Sequence, residues 1–130
     1  MNKSVAAIIV VDGKVLVARR PLGGVLGGLW EFPGGKLEEG ESEAEALVRQ
    51  FDEEFGTALK PLKALGETSF VNKGVERGLV AWLGELPQDA KLELREHLAS
   101  QWLGGGELIA LALADSDRKL LPYVLPLLAP

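Results

Sequence analysis

An α/β domain, a mixed β-sheet with helices packed against it, is the fold class that this sequence predicts, and three observations carry it. Residues 4–11 and 14–19 are two β-branched, apolar runs joined by Asp12-Gly13, a two-residue hairpin signal. Residues 42–56 carry the marks of one amphipathic helix, with Ser42 and Glu45 spaced as a capping box and Gly56 as its stop. Residues 59–86 then read as two more extended runs about Asn72-Lys73-Gly74, before a helical tail. Strands, helix, strands, helix in that order suit a mixed sheet covered by helices.

Each element has its own local reason. Residues 4–11 are apolar at nearly every position, as in a strand buried on both faces. Its hairpin partner ends at Arg19-Arg20-Pro21, and the next eight residues hold Gly23, Gly24, Gly27 and Gly28. That glycine-rich stretch is either a plain connector or a mobile loop beside a substrate. Trp30-Glu31-Phe32 is a short extended piece with both aromatics on one face, expected in the core. Pro33-Gly34-Gly35 predicts a tight turn with accessible carbonyls. Along the helix, at about 100° per residue, Ala44, Leu47, Val48, Phe51 and Phe55 make the core stripe. Gln50, Glu53 and Glu54 fall on another face, and Arg49 is placed one turn from both Glu45 and Glu53. After the second hairpin, residues 87–89 form a turn and residues 91–94 a short extended piece. Arg95-Glu96-His97 lie in a loop and residues 101–103 in a last strand. Gly104-Gly105-Gly106 acts as a breaker before a short helix over residues 107–113. Residues 114–117 cap a terminal helix over residues 118–128, which Pro122 and Pro126 keep short or kinked.

Composition narrows the functional classes. A chain of 130 residues is expected to be one domain spanning residues 1–130, with a core that needs no disulfide or structural metal. It has no cysteine, which excludes a disulfide framework, a thiolate metal site and a cysteine nucleophile, and fits a cytoplasmic location. No signal-peptide core follows Met1-Asn2-Lys3-Ser4. No apolar run approaches the ~20 residues of a membrane span. A net charge of −5 argues against nucleic acid held by a basic surface; a phosphate-bearing small molecule would be held through a divalent cation. There is no Ser-His-Asp arrangement and no dinucleotide fingerprint, and the glycine pairs lack phosphate-loop spacing. A monomer and a homodimer both remain open.

Glu53 and Glu54, with a carbonyl from Gly34 or Gly35, form an oxygen-donor set of the kind that Mg²⁺ takes along with substrate phosphates. Read from composition alone, they are equally a solvated acidic helix face. The spacing decides between these. Gly35, five residues, Glu41, seven residues, Arg49-Gln50, Phe51, Asp52, Glu53-Glu54, Phe55, Gly56, Thr57 resembles the Nudix box, the signature of the Nudix hydrolase superfamily. Every interval matches. Gln50 stands where the family has glutamate, and Thr57 where it has an apolar residue. The lead-in Gly28-Leu29-Trp30-Glu31-Phe32-Pro33-Gly34-Gly35-Lys36 is similar to that of the MutT-like branch.

The resemblance implies a Nudix fold, a mixed sheet sandwiched between helices (α/β/α), and a hydrolase that uses Mg²⁺ or Mn²⁺ to cleave a nucleoside diphosphate linked to another group. Carried over by position, Glu53, Glu54 and the Gly35 carbonyl are expected metal ligands. Glu41 and Arg49 are expected to fix the loop against the helix. Glu96 is either a further carboxylate for metal or base, or a surface glutamate beside a solvated His97. Asp117 is a nucleobase contact or a helix cap, Arg19 and Arg20 are phosphate contacts or ordinary surface charge, and Lys36 is a phosphate contact. The expected substrate is a nucleoside triphosphate, an oxidised purine or a pyrimidine, with ADP-ribose and dinucleoside polyphosphates as alternatives. Gln50 sits among the catalytic positions yet offers one carbonyl oxygen, no charge and no basic site. Metal affinity and rate should therefore fall, as far as a nucleotide-binding module with little turnover.

Overall fold

The computed structural model describes residues 2–130. Strand β1 (Lys3–Val11) turns through Asp12 and Gly13 into β2 (Lys14–Arg19). Both turn residues take left-handed φ, 51° and 75°, as a two-residue hairpin of right-twisted strands requires. The short strands β3 (Trp30–Glu31) and β4 (Gly34–Lys36) follow, then helix α1 (Glu43–Phe55). Strands β5 (Lys60–Asn72) and β6 (Val75–Glu85) make the second hairpin, and β7 (Ala99–Leu103) the last strand. Four short helical pieces close the chain: α2 (Gly105–Ala110), α3 (Asp115–Arg118), α4 (Leu121–Val124) and a 3-10 turn over Leu125–Leu127.

β1 is the strand that positions everything else. Its residues 3–9 run parallel to residues 78–84 of β6, while Ser4, Val5 and Ala6 pair antiparallel with β4 on the other side. Val10 and Val11 then pair with β2, which carries β3 and β7. The path is β3-β2-β1-β6-β5, a mixed sheet. Alternation along β1 sends side chains to two cores. Val5, Ala7 and Ile9 pack with Ala46, Leu47, Phe51 and Phe55 of α1. Ala6 and Ile8 pack with Leu108, Leu120 and Val124 of the C-terminal segment. A fully buried side chain of this size contributes about 1.5–3 kcal/mol, and these interlock on both faces, so the sheet lies between helices as the α/β/α reading requires.

α1 begins and ends where its local signals place it. The Ser42 hydroxyl accepts from the Glu45 N–H at 3.1 Å and the Glu45 carboxylate accepts from the Ser42 N–H at 2.9 Å. Gly56 closes the helix at φ 65°.

Six local expectations are corrected. Residues 33–35 are not a simple turn. Gly34 and Gly35 enter β4 and pair with β1, and Gly34 lies so close to the Val5 carbonyl at φ 146° that a Cβ would collide with it. Ala44 and Val48 are only half-buried, while Ala46 and Glu54 are buried in their place, because α1 is covered by the β4 loop as well as the sheet. Of the two aromatics, Phe32 is buried and Trp30 only partly so. Gly104 is the N-cap of α2 rather than a breaker, with the Glu107 carboxylate accepting from its N–H at 3.3 Å. The tail is three short pieces rather than one helix, and residues 91–94 are irregular.

Candidate active site

The loop after β4 is bound to α1 through one arginine. Arg49 donates from Nε to Glu41 Oε2 at 2.7 Å and from a terminal nitrogen to Glu41 Oε1 at 2.9 Å, a bidentate grip. It also donates to the Lys36 carbonyl at 3.0 Å, lies 3.2 Å from a Glu38 oxygen and reaches Glu53 at 3.3 Å. It does not bridge to Glu45, whose carboxylate is committed to the capping box. The Arg49 guanidinium, with the Glu38 N–H, holds the Glu41 carboxyl down to about 2. Gln50, one residue on, donates from Nε2 to the same Lys36 carbonyl at 3.1 Å.

Glu54 is the unusual group of the site. It is 3 % exposed and accepts the Gly34 N–H at 3.3 Å. Burial raises its carboxyl to about 9; Glu31, then Glu96 and Glu53, push it further up, against the Gly34 hydrogen bond. Glu53 is 49 % exposed and leans on Arg49, and Glu96 is exposed on its loop. That loop is tied to the end of α1: the Arg95 N–H donates to the Glu54 carbonyl at 3.2 Å and the Glu93 N–H to the Phe55 carbonyl at 3.0 Å. The buried Thr57 hydroxyl adds a hydrogen bond to the Lys91 carbonyl at 3.0 Å. Among the described residues no three acidic or imidazole side chains form a finished cation cage. The donor set nonetheless suits a hard cation, which takes one or two carboxylates and fills its shell with water and substrate oxygens.

A cleft of about 310 Å³ opens beside this cluster, lined in part by Arg20, Glu31, Gly35, Lys36, Phe70 and Asp117. Leu26 also lines it, which puts the glycine-rich loop on its rim. Asp117 is buried and accepts from the Phe32 N–H at 2.8 Å and the Ser116 hydroxyl at 3.0 Å. Burial raises its carboxyl to about 7; the Phe32 N–H opposes the rise and Glu31 adds to it. A wider groove of about 800 Å³ lies at the far end of β1, along Ile9, Val11, Leu86 and Trp102. It is mostly apolar and none of its lining residues belongs to the Nudix-like stretch, so the smaller cleft is the candidate site.

The structure thus gathers Gly35, Lys36, Glu41, Arg49, Gln50, Glu53, Glu54 and Asp117 around one loop and one cleft, with Glu96 close enough to raise Glu54. It does not bring in Arg19, whose Nε donates to the Gly28 carbonyl of its own loop at 2.9 Å; the next residue, Arg20, lines the cleft instead. His97 is not solvated. Its side chain is 4 % exposed, its ring stacks on Phe55, and its Nε2 lies 2.9 Å from a Glu31 oxygen. Nothing in the local pattern singles out Glu31, yet it meets Arg20 at 2.8 Å, meets His97, and repels both Glu54 and Asp117. The one available signal was its place in a short strand, opposite two aromatics.

Fold, loop–helix–loop and cleft together define a class, and the chain belongs to the Nudix hydrolase family: the NUDIX domain model matches residues 4–123. It is 38% identical over 130 residues to the CTP pyrophosphohydrolase of Escherichia coli (strain K12), covering 99% of this chain and 95% of that one. It is 34% identical over 124 residues to the putative 8-oxo-dGTP diphosphatase 2 of Mycobacterium tuberculosis, covering 91% and 84%. The solution structure of the E. coli ORF135 protein superposes with a TM-score of 0.85 at 38% identity, covering 98% of this chain and 90% of that one. No helix among the described residues is long and apolar enough to cross a membrane.

Proposed function

We propose that this chain is a divalent-metal-dependent pyrophosphohydrolase. It cleaves a nucleoside triphosphate, a pyrimidine or an oxidised purine, to the monophosphate and pyrophosphate. The observation that carries the reading is Glu54, a buried carboxyl raised to about 9 by burial and by Glu31, Glu96 and Glu53, and hydrogen-bonded to Gly34 of the cleft lining. A carboxylate so placed is relieved by a cation. The names of the relatives, a CTP pyrophosphohydrolase and a putative 8-oxo-dGTP diphosphatase, support the same substrate class.

Glu53, Glu54, Glu96 and the Gly35 carbonyl would hold the cation. Bound there, Mg²⁺ or Mn²⁺ supplies Lewis-acid stabilisation of charge developing on phosphate. The chain does the rest. Glu54 gives up its proton as positive charge arrives. Arg49 keeps Glu41 and the Lys36 carbonyl in place, so the loop does not reorganise during the reaction. Lys36 and Arg20 meet phosphate oxygens, and Asp117 meets the edge of the base. Glu96, exposed and on a loop, takes a proton from the attacking water, the task that Gln50 cannot perform.

A second reading, a nucleotide-binding module with little turnover, is favoured by one observation: the Gln50 amide is committed to the Lys36 carbonyl. A screen of CTP, dCTP, 8-oxo-dGTP and ADP-ribose with Mg²⁺ and Mn²⁺ separates the two, scored for pyrophosphate against orthophosphate. Wild type is expected to release pyrophosphate, and Gln50→Glu to do so at least about tenfold faster, below the roughly hundredfold at which general-base contributions begin, because Glu96 already serves as base. Binding without turnover by both proteins sinks the hydrolase reading. Equal rates would mean that a carboxylate at position 50 adds nothing to the base that Glu96 supplies.

A further inference from the structure

The catalytic face of α1 departs from its family pattern at one position, and the contacts there are specific. Gln50 Nε2 donates to the Lys36 carbonyl at 3.1 Å, and Arg49 donates to the same oxygen at 3.0 Å. A carbonyl oxygen has two lone pairs, and these two donors match them. The carboxamide also lies flat on the loop: a Cβ on Gly35 would come 2.5 to 2.7 Å from its Nε2, Cδ and Oε1. A glutamate in this place has acceptors only. Its oxygen would face the Lys36 carbonyl with nothing between them unless a cation intervened.

We infer that Gln50 is a positioning residue that fastens the Gly35–Lys36 backbone to α1 by a neutral hydrogen bond, doing without a cation what a glutamate there does only with one. The loop that presents the Gly35 carbonyl and the Lys36 side chain is thereby preset in the cation-free protein. Divalent cation would then join the Glu54 cluster and the Gly35 carbonyl without moving the loop. The functional weight of this inference rests on the hydrolase reading, but the clamp itself does not, and its test needs no turnover.

The test is amide hydrogen exchange over residues 34–38, in EDTA and in graded Mg²⁺. It compares wild type with Gln50→Glu and with Gln50→Met, which is close in size and has no strong donor. In EDTA both variants are expected to exchange this segment about tenfold faster than wild type, the effect of losing one net hydrogen bond, while β1 and the middle of α1 keep their protection. Mg²⁺ is expected to restore protection in Gln50→Glu, to leave Gln50→Met fast and to leave wild type unchanged. Two results overturn the inference. One is equal exchange by all three proteins in EDTA. The other is an Mg²⁺-induced rise in wild-type protection as large as that of Gln50→Glu. If one variant fails to fold, the other and the wild-type Mg²⁺ response still decide. Absence of turnover in the screen above would leave this result standing, and failure of the clamp would leave hydrolysis standing.

Discussion

Replacing Glu54 with glutamine should stabilise the cation-free protein, which is the opposite of what most substitutions at a buried position do. The reason is the penalty for ionising Glu54. Its carboxyl stands at about 9 against an ordinary value of 4.5. A group whose folded pKa is raised in this way lowers stability progressively as pH rises from the unfolded value to the folded one. Below about 4.5 the group is protonated in both states and contributes no difference. At pH 7.5 the unfolded chain is fully ionised and the folded one still protonated. Three units then separate the two, about 4 kcal/mol at 1.36 kcal/mol per unit. Glutamine has nothing to ionise, can still accept the Gly34 N–H, and turns its amide toward carboxylates that need a donor. If about half of the penalty is recovered, a gain of about 2 kcal/mol raises the melting temperature by about 7 °C for a chain of this length. Thermal melts of both proteins in EDTA from pH 4.5 to 9 read this directly. The two curves should meet near pH 4.5 and diverge above it. Mg²⁺ should raise the wild-type melting temperature and hardly move that of Glu54→Gln, while turnover falls by at least about a hundredfold. A variant no more stable than wild type at pH 7.5, or a difference that does not change with pH, would refute the argument.

Asp117→Asn follows the same sign over a lower window. The folded carboxyl stands at about 7 against 3.8, so in EDTA wild-type stability should decline from pH 4 to 7 more steeply than that of the variant. The variant should also change KM among bases more than kcat, read by the substrate screen. Arg49→Lys runs the other way. Glu41 is held at about 2 by the bidentate guanidinium, so it contributes stability above about 4.5 that is lost as pH falls toward 2. Lysine cannot grip both oxygens. Acid unfolding of the variant, followed by circular dichroism, should therefore begin at higher pH than in wild type.

What could be read from the sequence was what neighbours in the chain decide. Ser42, Glu45 and Gly56 fix α1 within their own few residues, and Asp12-Gly13 fixes its hairpin, so both stand where local chemistry put them. The Nudix-like spacing likewise placed Glu41 and Arg49 within reach of each other, because one turn of loop and two turns of helix set that distance. The misplaced pieces depend on partners remote in sequence. Pro33-Gly34-Gly35 looks like a turn until β1 is beside it, and only then does Gly34 become necessary against the Val5 carbonyl. Glu31 gains its role only from His97, 66 positions later, whose ring lies against it. Periodicity puts Glu54 on a face apart from the core stripe; Gly34 and the residue 93–97 loop, which hydrogen-bond to Glu54 and to Phe55, close over that face.

The two departures from the family pattern share a physical effect that neither shows in isolation. Gln50 replaces a carboxylate and donates to the Lys36 carbonyl; Thr57 replaces an apolar side chain and donates to the Lys91 carbonyl. Each substitution brings in a hydrogen-bond donor at one side of α1, and each donor fastens a segment that carries site groups. Lys36 adjoins Gly35, and Lys91 leads into the loop of Glu96. A hydrogen bond made by a neutral donor contributes about 1 kcal/mol net and is indifferent to cation concentration, whereas a carboxylate at position 50 would tie the same loop to the metal. On the proposed reading the chain has its loops set before any cation arrives, and Glu54, with its raised carboxyl, is the group at which divalent metal and pH would compete.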